Sequence, residues 1–364
     1  MNDSRSTIAI PWRALTMVGA LLVIWIIFSI GTDGIFLSPR NLSILMRQMA
    51  VTGILASGMV LVIVAGQIDL SVGGMTGFLG ALSAFLFVNH HWPLWASFVA
   101  AILAGAFFGR AEGYLVTRLG LPSFIVTLGG MLIFQGSLLA LTGGVAISPT
   151  SDYLAVGQAF LPKSLGWALA LGLDCFFLWR GWKGRASARW KWLGLAVLAT
   201  VFTAVLSGYQ GIPLPVLLLL IVTAALSVLA EQTPFGRHLY AIGGNRDAAF
   251  YSGIPIERRL VWAFTLMGAL AGVAGIVLTA RVGAATSDAG HMMELDAIAA
   301  AVIGGTSLMG GRGTVGGALL GALVMASLDN GMGLMNTEAF WQPILKGTIL
   351  ILAVAADMAG RRKN

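Results

Sequence analysis

A chain of 364 residues that is 57% hydrophobic and only 10% charged, with a mean hydropathy of +0.87, is not a set of soluble domains, which carry about a quarter charged residues. Its net charge of +7 raises nucleic acid as a partner, but most of the 22 Lys and Arg fall in alternate connections between apolar runs. That is the positive-inside pattern of a membrane protein, and it accounts for the charge with no nucleic-acid partner.

Lipid holds no water to satisfy a backbone group, so spanning segments are helices or closed barrels. Runs near 20 residues, in place of alternating strands of about ten, select helices. The expected fold is therefore an all-α polytopic membrane protein, a single transmembrane domain over residues 1–364. Spans are predicted at 14–30, 50–65, 73–88, 95–115, 123–141, 164–179, 192–206, 212–230, 259–280, 294–304, 314–328 and 342–356. A crossing needs roughly 20 residues, so 294–304 is short and 50–65 marginal. Each is a half-helix or continues into its polar flanks. The expectation is 10 to 12 membrane or half-membrane helices, with both termini in the cytoplasm.

At the N-terminus, residues 1–13 lead into an apolar run with no small-residue cleavage site after it, so 14–30 reads as a retained span. Residues 41–50 follow Ser38-Pro39 and carry Leu42, Ile44, Leu45 and Met49 at helical spacing. They form an amphipathic helix along the interface or the start of the next span. His90-His91 has no third ligand near it and reads as a solvated turn. Cys175, the one cysteine, cannot form an intrachain disulfide and reads as a small core residue. Residues 179–192, WRGWKGRASARWKW, interleave cations with aromatics as an RNA-stacking platform would. Between two spans they are more simply an interfacial aromatic belt with snorkelling cations.

The longest polar interruption is 231–260. Its middle, 243–253, reads as a short helix. Gly243, Gly244 and Asn245 supply the break and an N-cap, Asp247 suits the first turn, and Gly253 follows Ser252 as the stop. Ala248 and Ala249 are small enough for another protein's surface to come close. Glycines at every fourth position, Gly73/Gly77, Gly105/Gly109, Gly268/Gly272 and Gly313/Gly317/Gly321, mark faces where helices pack closely in lipid.

Gly311-Arg312-Gly313-Thr314-Val315-Gly316 fits the dinucleotide fingerprint, but it joins two membrane elements and lacks the strand and βαβ unit that motif needs. There is no Walker A, no H-E-x-x-H and no G-x-S-x-G, so the chain reads as a non-enzyme whose energy comes from elsewhere. Asp69, Glu294 and Asp296 stand where acid is costly, and an intramembrane carboxylate is a functional hypothesis by default. Each also suits the start of a broken helix, where the dipole favours negative charge. Gln67, Ser71, Thr306 and Ser307 are placed to meet a polar cargo transiently. The two glycine-broken segments, 66–77 and 304–317, lie in opposite halves, as in an inverted repeat with the path at its centre.

Four stretches carry a resemblance: GRHLYAIGGNRDAAFYSGI, GQIDLSVGGM, ELDAIAAAVIGGTSLMGGRGTVGG and MASLDNGM. In that family's order along most of the chain, they resemble the ribose/xylose-type sugar ABC importer permeases. The helix pair 164–206 occurs in the xylose-type branch and not in the ribose type. The resemblance implies a homodimeric pore in the bacterial inner membrane with no cofactor of its own. It also implies a cytosolic ATPase that uses ATP and docks on the coupling loop 231–258, and a periplasmic sugar-binding protein. The cargo implied is a pentose, xylose before ribose, arabinose or galactose. The rival reading is a proton- or ion-coupled secondary sugar transporter, with Asp69, Glu294 or Asp296 as carriers.

Overall fold

The computed structural model describes residues 12–183, 186–338 and 340–361; the absent cleavage site, read in part from residues 1–11, falls in part outside them. Fifteen α-helices follow one another among the described residues. The first half holds α1 (Trp12–Gly31), α2 (Pro39–Val64), α3 (Val72–Val88), α4 (Leu94–Arg118), α5 (Ser123–Thr142), α6 (Ser151–Gln158) and α7 (Lys163–Lys183). The second holds α8 (Ala186–Ser207), α9 (Leu214–Gln232), α10 (Pro234–Gly244), α11 (Arg246–Tyr251), α12 (Ile256–Val282), α13 (Met293–Ile303), α14 (Val315–Leu334) and α15 (Trp341–Arg361).

Each of the twelve predicted spans falls on a helix. Six of these, α2, α4, α5, α9, α12 and α14, are long and apolar enough to cross a membrane. Residues 41–50 are the head of α2 and not a separate interfacial helix. Pro39 sits in its first turn, where a missing N–H costs nothing, and Leu45, Met46 and Met49 continue its buried face. The 11 residues of α13 span about 16 Å, half a bilayer core. The short α6 and the separate α10 were not anticipated.

The chain divides into two compact units, one within Met1–Leu45 and Phe160–Pro213, the other within Met46–Ala159 and Leu214–Asn364. In the first, α7 and α8 form a hairpin. Thr200 Oγ1 donates to Asp174 Oδ2 at 2.7 Å, and the Phe177 ring stacks on Trp192 at 5.9 Å. Arg180 lies over Trp192, and Lys183 over Trp179 at 4.3 Å. These two cations thus rest on indoles of the same stretch, at about 0.5–1 kcal/mol each where exposed. Cys175 is exposed and not a core residue. The reason is that α7 turns only a narrow face to α8, leaving Leu171, Leu173 and Phe176 outward.

The second unit is built around α12. On α4, Gly105 and Gly109 meet the Gly268 and Phe264 carbonyls, while Gly272 faces Ile102 Cα. On the neighbouring side of α12, Gly275 lies against the Thr76 carbonyl and Gly80 of α3. Gly73 and Gly77 accommodate Gly290 and the Ala289 carbonyl, and Gly317 and Gly321 accommodate the Gly304 and Ala300 carbonyls. The four glycine faces read from the sequence are therefore close backbone contacts, except at Gly313, which meets the Thr306 side chain.

Gly268→Val puts a side chain into the Gly105 backbone, which cannot move aside as a flexible side chain would. We expect a loss of about 1–3 kcal/mol, seen as a lowered Tm in detergent. Gly136→Val on α5, where nothing lies within 4 Å of the added carbon, leaves Tm unchanged. Equal effects of the two would refute the packing role.

Candidate functional site

The polar connection between α9 and α12 is mostly helical. Thr233 caps α10, its side chain accepting from the Gly236 amide at 3.4 Å, and Pro234 opens the first turn. Leu239 and Ile242 bury one face. Asn245 is extended at φ −157°, which ends α10, and its side chain accepts from the Ala248 amide at 2.9 Å, which begins α11. Asp247 lies in that first turn, favourable to the helix dipole. Ser252 Oγ donates back to the Ala248 carbonyl at 2.8 Å, and Gly253, at φ +76°, turns the chain out.

Two details of the predicted 243–253 helix change. Gly243 and Gly244 belong to the last turn of α10, so the second helix is only Arg246–Tyr251. The extended Asn245 separates the two. Ala248 is exposed, but Ala249 is 3% exposed and faces inward. Only Ala248 of the pair can offer its methyl to a partner, flanked by exposed Phe250 and Tyr251.

The end of α10 is wedged between the two helix breaks. A side chain on Gly243 would run into the Val64 carbonyl and meet the Gly311 amide at 2.8 Å. Val64 closes α2 immediately before the first break, and Gly311 lies in the second, between α13 and α14. The breaks are themselves joined: the Gly311 amide donates to the Val64 carbonyl at 2.8 Å. Tyr240 Oη donates to the Gly313 carbonyl, also at 2.8 Å. Burial, then the charge of Glu231, pushes the Tyr240 phenol up, so it stays a donor. Gly66, Gly310 and Gly311 take positive φ, which a residue with a side chain adopts only under strain.

The predicted polar residues separate into three groups. In the first break, Asp69 Oδ1 accepts from the Ser71 amide at 2.9 Å and from Ser71 Oγ at 2.7 Å. Asp69 thus pins the turn that feeds α3, with Ser71 at its N-cap. Gln67, two residues before, is half-buried. Ser71 Oγ also lies 3.0 Å from Glu112 Oε2 on α4. A hydroxyl has one proton, so two carboxyls around it are held together only if one carries a proton of its own. Glu112 was missed in the sequence; its signal was an acid inside the apolar run of α4, made room for by Gly130 of α5.

The second group sits at the start of α13. Glu294 is buried against Gly73. Asp296 pairs with Lys346 of α15 at 2.9 Å, and Lys346 reaches Asp329 of α14 at the same distance. Asp329 and Lys346 were also missed, although each is a charge within an apolar stretch. A cavity against Asp296 and Lys346 holds 50 Å³, below the roughly 300 Å³ of a small-molecule site. The third group, Thr306 and Ser307, is buried at the far end of α13. The Ser307 amide donates to the Arg312 carbonyl at 2.9 Å, closing the second break. The length of α13, about 16 Å, keeps the last two groups apart, so the predicted residues do not share one pocket.

A family model described as "Branched-chain amino acid transport system / permease component" matches residues 41–354. The chain is 46% identical to the xylose transport system permease protein of Escherichia coli K12, over 97% of this chain and 93% of that one. It is 44% identical to the xylose permease of Haemophilus influenzae, over 95% and 96% of the two chains. Identity to the ribose import permease of Bacillus subtilis is 36%, over 93% and 90%. No solved structure matches the chain.

The two adjacent glycines of α10 should differ sharply. Gly243→Ala is expected to cost about 1–3 kcal/mol through forced separation of the breaks. Gly244→Ala, with nothing within 4 Å, stays within about 0.5 kcal/mol. Thermal unfolding of the purified variants decides it. Lys346→Met leaves buried Asp296 and half-buried Asp329 without their cation, a loss of about 3 kcal/mol. Adding Asp296→Asn to that variant should recover part of it, and a further drop in Tm would argue against the triad.

Proposed function

The chain belongs to the family described as branched-chain amino acid transport system permease components, and from that premise we propose that it is the membrane-spanning permease of a bacterial ABC importer for D-xylose. Ribose, arabinose and galactose are the competing cargoes. The observation that carries the reading is 46% identity across 97% of the chain to a xylose permease, against 36% to a ribose permease. It works as a multi-pass protein of the inner membrane.

In this reading the chain is no enzyme. It has no Walker A, and ATP is bound and hydrolysed by a cytosolic partner ATPase. That subunit docks on α11 through the exposed Ala248 and Tyr251, and both termini share its side of the membrane. A periplasmic sugar-binding protein delivers cargo to the opposite face, and two copies of the permease enclose the pore. The rigid end of α10 gives the coupling a physical route. Gly243 touches Val64 and Gly311 together, so displacement of α10 acts on both breaks at once. A break leaves backbone groups that few other contacts secure, so it is the place where a small push changes the path.

A second reading, proton-coupled transport, is favoured by one observation: two carboxyls, Asp69 and Glu112, meet at the single hydroxyl of Ser71. The two readings differ in what uptake requires.

Radiolabelled xylose uptake is expected to need the ATPase and to be competed by unlabelled xylose but not by ribose or arabinose. Uptake that persists without the ATPase and collapses with the proton gradient would move the assignment to the second reading. Ala248→Glu should cut uptake by about tenfold or more at unchanged expression, whereas Ala249→Glu, at a buried site, should lower expression itself. Glu112→Gln, which keeps a donor towards Ser71, should leave ATPase-dependent uptake within about threefold. Its abolition at normal expression would mark Glu112 as a proton carrier.

A further inference from the structure

An open groove of 910 Å³ runs between the end of α4, the connection from α11 to α12 and the first turns of α12. Four arginines line it: Arg110 and Arg118 of α4, Arg246 of α11 and Arg258 of α12, against the two acids Asp247 and Glu257. Glu257 is taken by Arg118 at 3.2 Å. Arg110, Arg246 and Arg258 have no ion-pair partner among the described residues. Tyr114, Phe250 and Trp262 stand between the cations, all exposed. The groove therefore has surplus positive charge, fork-shaped donors suited to phosphate, and aromatic rings of the kind that settle at headgroup depth.

The groove continues into an apolar track. Val99, Leu103 and Phe107 precede Arg110 at helical spacing on the outer face of α4, and Leu103 and Phe107 are 62% and 67% exposed. The opposite face, Gly105 and Gly109, is closed by α12. From Arg110 to Val99 the helix rises about 16 Å, the depth of one leaflet. A soluble anion would use the arginines and leave the track idle. A lipid uses both.

We propose that this groove binds the headgroup of an anionic phospholipid, with an acyl chain lying along Val99, Leu103 and Phe107. The phosphate bridges Arg110 on the transmembrane core to Arg246 and Arg258 on either side of the α11–α12 turn. The lipid thereby braces the short helix against α4. The site is independent of the transported cargo and does not require the importer reading.

The test is native mass spectrometry of the purified full-length protein in mild detergent, titrated with dioleoylphosphatidylglycerol or dioleoylphosphatidylcholine. Each arginine near an anionic headgroup contributes about a fivefold factor in binding. The wild type should retain phosphatidylglycerol at least about tenfold better than phosphatidylcholine. Arg110→Gln with Arg258→Gln should lose about 20-fold in phosphatidylglycerol retention, whereas lysine at both positions keeps most of it. Arg40→Gln, at a residue that does not line the groove, changes nothing. If the double glutamine variant is not monodisperse, the exposed Arg246→Gln alone should still lose about fivefold. Retention unchanged in the glutamine variants overturns the site. Displacement by millimolar inorganic phosphate would make it a free-anion pocket, and displacement by the purified ATPase subunit would assign the surface to that protein. Either result overturns the proposal.

Discussion

In hydrocarbon a helix gains little by exchanging lipid for another apolar surface, so association rests on how closely two backbones can approach. Here that approach is made at glycine. Gly105 and Gly268 face each other across α4 and α12 with only backbone between them, and Gly275 does the same against α3. Because α12 meets both neighbours this way, it forms a rigid centre for the second unit. The other helices take their positions from it, and side-chain chemistry is then distributed around a frame with little freedom to shift.

The same rule operates at Gly243, with a different consequence. There a soluble-facing helix, α10, reaches the end of α2, which is long enough to cross, and the connection after α13, a helix too short to cross. The Val64 carbonyl is a helix-terminal acceptor that would otherwise be orphaned; the Gly311 amide satisfies it. The two breaks are thus a single hydrogen-bonded junction, and α10 rests on it. A contact of this sort transmits force because no flexible side chain lies in the path to absorb it.

The buried charges behave as architecture first. Asp69 shapes the turn before α3, and Lys346 draws α13, α14 and α15 together through Asp296 and Asp329. Asp69 and Asp296 each have a local structural partner, which fits a path that conducts a neutral sugar without a strong fixed site. Asp69 and Glu112 differ from the rest in meeting at one hydroxyl, that of Ser71.

Much of this was legible in the sequence. Apolar runs of span length gave the helices, because lipid allows a backbone few other solutions. Glycine at every fourth position gave the packing faces, since little else explains that spacing in a membrane helix. Asn245 as a cap and Gly253 as a stop followed from local backbone chemistry alone. The quoted motifs carried the family resemblance. What the sequence could not supply was partnership across distance. Glu112 lies 41 residues from Ser71, and Lys346 lies 50 from Asp296; nothing local couples them. The inward turn of Ala249, the outward turn of Cys175 and the meeting of Gly243 with both breaks depend on which face a neighbouring helix covers. Periodicity along one helix fixes its faces, but only the packed structure decides what each face meets.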